Sequence, residues 1–174
     1  VTPGVQIRAY HNGRMACDIS VGKTYPYYDL ASLTKLIFTQ QAIMLAFDQS
    51  KWKLESKVAD FLPDFNHDIL IKDLLTHTSG LEWWLPFYQK IEHNKNWQAK
   101  RSDIFKIINE SVLNKSEKAV YSDLGVILVG FILEKIYEKN LHEIWLDLKE
   151  KFYPSTTLNF HIANKLPMSE NLYA

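Results

Sequence analysis

Two extended runs meet at His11-Asn12-Gly13-Arg14, and after Gly22 the chain turns from strand-like to helical patterning. Residues 5–10 alternate apolar with polar or charged side chains, and residues 15–21 form a second extended stretch that ends at Gly22. Asn and Gly tolerate the positive φ of a tight hairpin, so Asn12-Gly13 predicts two antiparallel strands. Over residues 32–47, Leu33, Leu36, Ile37, Met44 and Phe47 fall at helical spacing, while Ala42, Ile43 and Leu45 widen the apolar surface. That pattern predicts a largely buried helix. Two strands alone are marginal. The hairpin therefore either packs on the helices as a minor element or opens a larger domain whose remaining strands lie beyond Ala174.

Further along, residues 54–62 set Glu55 and Lys57 among apolar residues and stop at Pro63. Residues 69–75 predict a short helix ended by Thr76-His77-Thr78-Ser79-Gly80, with Gly80 as a left-handed cap. Residues 81–98 carry Trp83, Trp84, Phe87, Tyr88 and Trp97 around Pro86, which reads as an irregular, aromatic-rich loop or lid. Residues 102–113, 122–137 and 141–152 are further helices, the last ending before Pro154. No internal repeat or low-complexity linker interrupts them.

The length of 174 residues and the 47 % share of hydrophobic residues suffice for one substantial core. Twenty basic residues balance twenty acidic ones without a long block of either sign, which argues against nucleic acid as a partner. Residues 124–133, the longest stretch free of charged or strongly polar side chains, reach about half of the roughly 20 needed to span a bilayer, so no membrane span is expected. Cys17 is the only cysteine, so no internal disulfide forms, and it reads as a small buried apolar residue. The chain opens on Val1-Thr2-Pro3-Gly4 with neither an initiator Met nor an apolar leader; an export signal was removed or never existed, and localisation stays open.

Ser-x-x-Lys occurs three times, at Ser20 to Lys23, Ser32 to Lys35 and Ser50 to Lys53. Ser20 runs into Gly22, and Ser50 sits among solvated lysines. Ser32 differs, because residues three apart on a helix share a face and Ser32 falls in the first turn of an apolar helix. Backbone N–H groups and the positive end of the helix dipole there favour a serine alkoxide or the oxyanion formed after its attack. Lys35, set against Leu36, could lose proton affinity by desolvation and act as a general base. The competing reading makes Ser32 an N-cap and sends Lys35 to solvent. Tyr121, just before a helix capped by Ser122 or Asp123, could approach this pair and pass a proton, with Asp123 pointing the same way; taken by itself, the stretch reads more simply as a half-buried tyrosine before an ordinary cap.

Taken together, Ser32-Leu33-Thr34-Lys35, Leu74-Leu75-Thr76-His77-Thr78-Ser79-Gly80-Leu81 and Tyr121-Ser122-Asp123 before Leu124-Gly125-Val126-Ile127-Leu128-Val129-Gly130 resemble the serine β-lactamase and penicillin-binding-protein-like family. The branch they resemble holds class C β-lactamases, D-alanyl-D-alanine carboxypeptidases and related esterases. Pro3-Gly4 and Phe152-Tyr153-Pro154 extend the match in order and spacing. The resemblance implies an α/β (α+β) β-lactamase/transpeptidase-like fold, incomplete here: an N-terminal β-hairpin over residues 1–30 belonging to the α/β sheet, then a mostly helical region over 31–174.

It also implies a serine hydrolase acting through an acyl-serine intermediate on an amide, lactam or ester bond. In it Ser32 attacks, Lys35 accepts or relays the proton, Tyr121 delivers a proton to the leaving group and Asp123 contacts substrate. The implied substrate is a small molecule or a peptidoglycan-derived peptide, with no cofactor and no metal, in a bacterial periplasm or cell envelope, the cytoplasm being the alternative. The family commonly has Asn where Asp123 stands, and an ionised carboxylate only accepts hydrogen bonds, which weakens the expectation for an anionic penicillin-like ligand. His77 is implied to be a turn residue. The family's third motif, Lys-Thr-Gly or His-x-Gly, does not follow Tyr121. Its strand supplies an oxyanion donor whose loss typically costs on the order of 10²–10³ in rate, so the chain resembles roughly the first half of a domain and its partner would be the other half.

Other motifs fail on spacing. Gly22-Lys23-Thr24 has Cys17 where a phosphate-binding loop needs Gly, and His142-Glu143 has Leu146 where a zinc-protease helix needs its second His. The alternative in another class is a catalytically inactive relative that binds a protein or a cell-wall ligand through Trp83, Trp84 and Trp97.

Overall fold

The computed structural model describes residues 3–25, 28–114, 116 and 118–160. Its contacts divide the chain into two compact units, Val1–Leu33 with Asn159–Ala174, and Thr34–Leu158. The first unit is built on β1 (Gly4–His11) and β2 (Arg14–Gly22), one antiparallel pair. Asn12 (φ 49°) and Gly13 (φ 72°) form the two-residue loop that the sequence predicts. Pairing of Val5 with Val21, Ile7 with Ile19 and Ala9 with Cys17 collects the apolar residues on one face, while Gln6, Ser20, Arg8 and Asp18 occupy the other. Exposure of Val5, Ile7, Ile19 and Val21 runs from 41 % to 58 %, and Cys17 on the same face is half-buried rather than buried. At the open end a Cβ on Gly4 would lie 2.1 Å from the Lys23 carbonyl oxygen, so only glycine fits where Lys23 N–H bonds the Pro3 carbonyl at 3.0 Å.

The second unit is helical. A π-helical turn, Lys35–Thr39, runs into α1 (Gln40–Asp48), followed by α2 (Ile71–Leu75), the single turn α3 (Phe87–Lys90), α4 (Trp97–Asn109), α5 (Asp123–Tyr137) and α6 (Leu141–Phe152). Apolar residues surround α5, and burial of Leu124, Leu128, Val129, Ile132 and Leu133 makes it the central helix of this unit, with α1, α2 and α6 against it. Arg101 of α4 pairs with Glu134 of α5, whose Oε1 accepts the Leu141 N–H at 3.0 Å, so one carboxylate ties three helices. Burial lowers the proton affinity of Arg101.

Several expectations shift. Segment 102–113 is instead the helix Trp97–Asn109, started by Asn96, whose side chain accepts the Ala99 N–H at 2.8 Å. Residues 54–62 contain the 3₁₀ turn Val58–Asp60 and the antiparallel bridge of Lys57 to Leu70. The left-handed residue directly after α2 is His77 (φ 58°), with Gly80 (φ 80°) three residues later. On the helix after Ser32 the buried stripe is Phe38, Ala42 and Ala46, whereas Leu33, Leu36, Met44 and Phe47 are exposed. Small side chains at 42 and 46 let α1 approach α5 and α6 closely. The π turn, closed by the Gln40 N–H on the Lys35 carbonyl, shifts the spacing that a regular helix would keep.

Candidate active site

The start of the first helix carries Lys35, and the start of α5 carries Asp123 with Tyr121 two residues before it. Ser122 is the N-cap: its Oγ accepts the Gly125 N–H at 3.2 Å and donates to the Glu82 carbonyl at 2.6 Å. Its side chain is buried, so the capping bond also pins the aromatic segment to α5. The Asp123 N–H donates to the Trp83 carbonyl at 2.9 Å, a second tie between the same segments. The helix start is thereby held twice by the Glu82–Trp83 backbone, and Asp123 lies in its first turn, where a carboxylate is favoured by the free N–H groups.

Lys35 Nζ lies 2.9 Å from Asp123 Oδ1 and 5.2 Å from the centroid of the Tyr121 ring. Burial pulls its proton affinity down, as the sequence suggests, but hydrogen bonds to Tyr121 and Asp123 and the Asp123 charge outweigh it. The net shift is upward from the ordinary lysine value, the reverse of the depressed pKa expected of a general base, and Lys35 rests as an ammonium. A raised pKa contributes stability fully below the ordinary lysine value, lost as pH rises through the folded one. With Asp123 about 40 % exposed, that contribution is screened to about 0.2–1 kcal/mol.

Lys35, Tyr121 and Asp123 are thus brought together within the helical unit. Ser32 is assigned to the other unit, in the turn just ahead of the helix, and is exposed. Ala31 before it adopts φ 44°, a left-handed conformation uncommon for alanine, and its N–H bonds Asp29 Oδ1 at 2.8 Å. Strain of this kind gathers at functional sites, and here it sits next to the candidate nucleophile.

Sequence reasoning gave His77 no contact beyond its turn. Its Nδ1 accepts the Ser122 N–H at 3.1 Å, its carbonyl accepts the Val120 N–H at 2.9 Å, and its ring centroid lies 4.8 Å from that of Tyr121. The only local signal was a non-glycine residue just past a helix end. Trp83 and Trp84 are exposed, with ring centroids 5.8 Å apart. Among the described residues no group of three or more His, Cys, Asp or Glu could hold a metal ion, and no helix is long and apolar enough to cross a membrane.

Comparison with known proteins gives this geometry a setting. A family model described as Beta-lactamase matches residues 1–145. An N-acetylmuramyl-L-alanine amidase of Bacillus subtilis (strain 168) is 32 % identical over 131 residues, 68 % of this chain and 30 % of that protein. Solved structures share the fold. A D-stereospecific amidohydrolase from Streptomyces sp. superposes with TM-score 0.67 at 19 % identity, over 86 % of this chain and 48 % of its own. A beta-lactamase/D-alanine carboxypeptidase from Yersinia pestis superposes with TM-score 0.56 at 22 % identity, over 78 % and 43 %. The chain spans between about a third and a half of the length of these relatives.

Proposed function

Because the chain belongs to the β-lactamase family, we propose that it carries the acylation half of a serine hydrolase site, with Ser32 as nucleophile and Lys35 with Tyr121 as its proton relay. The observation that carries this reading is the convergence of Lys35, Tyr121 and Asp123 from two helix starts remote in sequence. Ser32 Oγ bonds to the carbonyl carbon of an amide, lactam or ester, and its proton passes to the Lys35–Tyr121 pair. Collapse of the tetrahedral intermediate breaks the bond to the leaving atom, which takes a proton back through Tyr121, and water then hydrolyses the acyl-serine. Peptides ending in D-alanine or bearing an amide-linked sugar acid fit the names of the relatives and are the proposed substrate class. The oxyanion donor of the family's third motif is not supplied by the sequence after Tyr121, so reaction in this chain alone is slow, by about 10²–10³.

The relay works only when the Lys35–Tyr121 pair is one proton short of full protonation, and Asp123 holds that proton on Lys35. Capture of Ser32 by a fluorophosphonate therefore accelerates as pH rises. In Asp123→Asn the rise moves to lower pH, because desolvation of Lys35 persists while its charge partner is gone. A rate profile that stays in place after the substitution counts against the relay. The exposed pair Trp83 and Trp84 supports a second reading, a binding surface without turnover; it predicts ligand binding that survives Ser32→Ala unchanged and no acyl-serine in any variant.

A further inference from the structure

We infer that His77 is a positioning residue for Tyr121, acting as an acceptor clamp on the backbone to either side of it. This deepens the proposed relay and rests on it. Two hydrogen bonds define the clamp: the N–H of Val120 goes to the His77 carbonyl at 2.9 Å, and that of Ser122 goes to His77 Nδ1 at 3.1 Å. Tyr121 lies between these two anchored residues, with its ring against the imidazole at a centroid distance of 4.8 Å and a tilt of 41°. The backbone and the ring of one residue thus fix the tyrosine's main chain and one side of its phenol.

His77 reaches both positions because its backbone is left-handed, with φ 58°. The turn around it is tied down independently. The Thr76 hydroxyl donates to the Lys72 carbonyl at 2.8 Å, and the Thr78 N–H bonds the Asp73 carbonyl at 2.9 Å. The conformation is thereby imposed by the end of α2, and the side chain is left to face residue 122. For Nδ1 to accept an N–H, the neutral ring must carry its proton on Nε2, which specifies one tautomer. Tyr121 in turn meets Lys35, so the clamp ends at the atoms proposed to move the proton.

Two variants separate the side chain from the backbone strain. His77→Gly keeps the left-handed conformation at no steric cost, keeps the carbonyl that accepts the Val120 N–H, and removes the Nδ1 acceptor and the ring. His77→Asn also tolerates that conformation and offers Oδ1 in place of Nδ1. Nuclear magnetic resonance of the full chain is expected to find the Nε2–H tautomer of His77 and a through-space contact between the Tyr121 ring and the Lys35 ε-methylene. The contact is lost in His77→Gly and kept in His77→Asn. Fluorophosphonate capture of Ser32 slows on the order of 10²-fold in the glycine variant, as expected for a misplaced catalytic group, and recovers in the asparagine variant. A wild-type ring protonated on Nδ1, or a Tyr121–Lys35 contact unchanged in folded His77→Gly, overturns the inference. If His77→Gly does not fold, loss of that contact in folded His77→Asn overturns it instead. Absence of capture in the wild type sinks the hydrolase reading alone, and the tautomer and the contact still decide the clamp.

Discussion

Lys35→Ala slows covalent capture of Ser32 by about 10²–10⁴-fold, the range that a positioned acid–base group contributes. The substitution deletes a group that touches both Asp123 and Tyr121, through the 2.9 Å ion pair and the hydrogen bond to the phenol. It leaves the fold nearly unchanged, because the pair is partly exposed and contributes little to stability. Lys35→Arg is expected to behave like the alanine variant, since a guanidinium cannot give up its proton near neutrality. A Lys35→Ala chain captured at the wild-type rate would remove the lysine from the relay, and comparison of thermal unfolding for the two chains excludes loss of fold as the cause.

Phe38→Ala costs about 3–5 kcal/mol of unfolding free energy, read by urea denaturation of the full chain. Phe38 is 4 % exposed and meets Trp145 of α6 edge-on at 6.1 Å, so its removal opens a cavity between the π-helical turn and α6. The same turn carries Lys35 three residues earlier, and the loss is therefore felt at the site as well. Phe38→Leu fills most of the volume and is expected to recover more than half of the lost stability. By contrast Leu36→Ala, on the exposed side of the same helix, is expected to change stability by no more than about 0.5 kcal/mol. Equal costs at positions 36 and 38 would mean that the helix buries the other face.

That contrast marks where the sequence was readable. Asn12-Gly13 determines its own hairpin through local φ preferences, and Asn140 with Glu143 determines the start of α6 in the same way, so both needed only near neighbours. The helix after Ser32 offers two apolar stripes, and the choice between them is made by α5 and α6, whose positions the local pattern does not contain. A run rich in Leu, Met and Phe outweighs two alanines in any count of apolar residues. Yet it is the alanines, at 0 % exposure, that meet the neighbouring helices.

Of the candidate site, the proximity of Lys35, Tyr121 and Asp123 was legible through the resemblance to a family, and the electrostatics of the cluster less so. Desolvation of Lys35 follows from its apolar neighbours and is present, but the groups that reverse its effect, Tyr121 and Asp123, come from the segment that opens α5. Asp123, expected to contact substrate, is also the ion-pair partner of the lysine, which the local sequence does not indicate. His77 read as part of a turn, which it is, and the ring that reaches Ser122 depends on a contact no spacing rule encodes.

The claim that Ser32 is the nucleophile is tested most directly by mass spectrometry of the chain after prolonged exposure to a fluorophosphonate. The account predicts a slow, stoichiometric adduct on the peptide containing Ser32, absent in Ser32→Ala and unaffected by replacing Ser20 or Ser50. An adduct that persists in Ser32→Ala, or an intact chain with no adduct at Ser32, would contradict it.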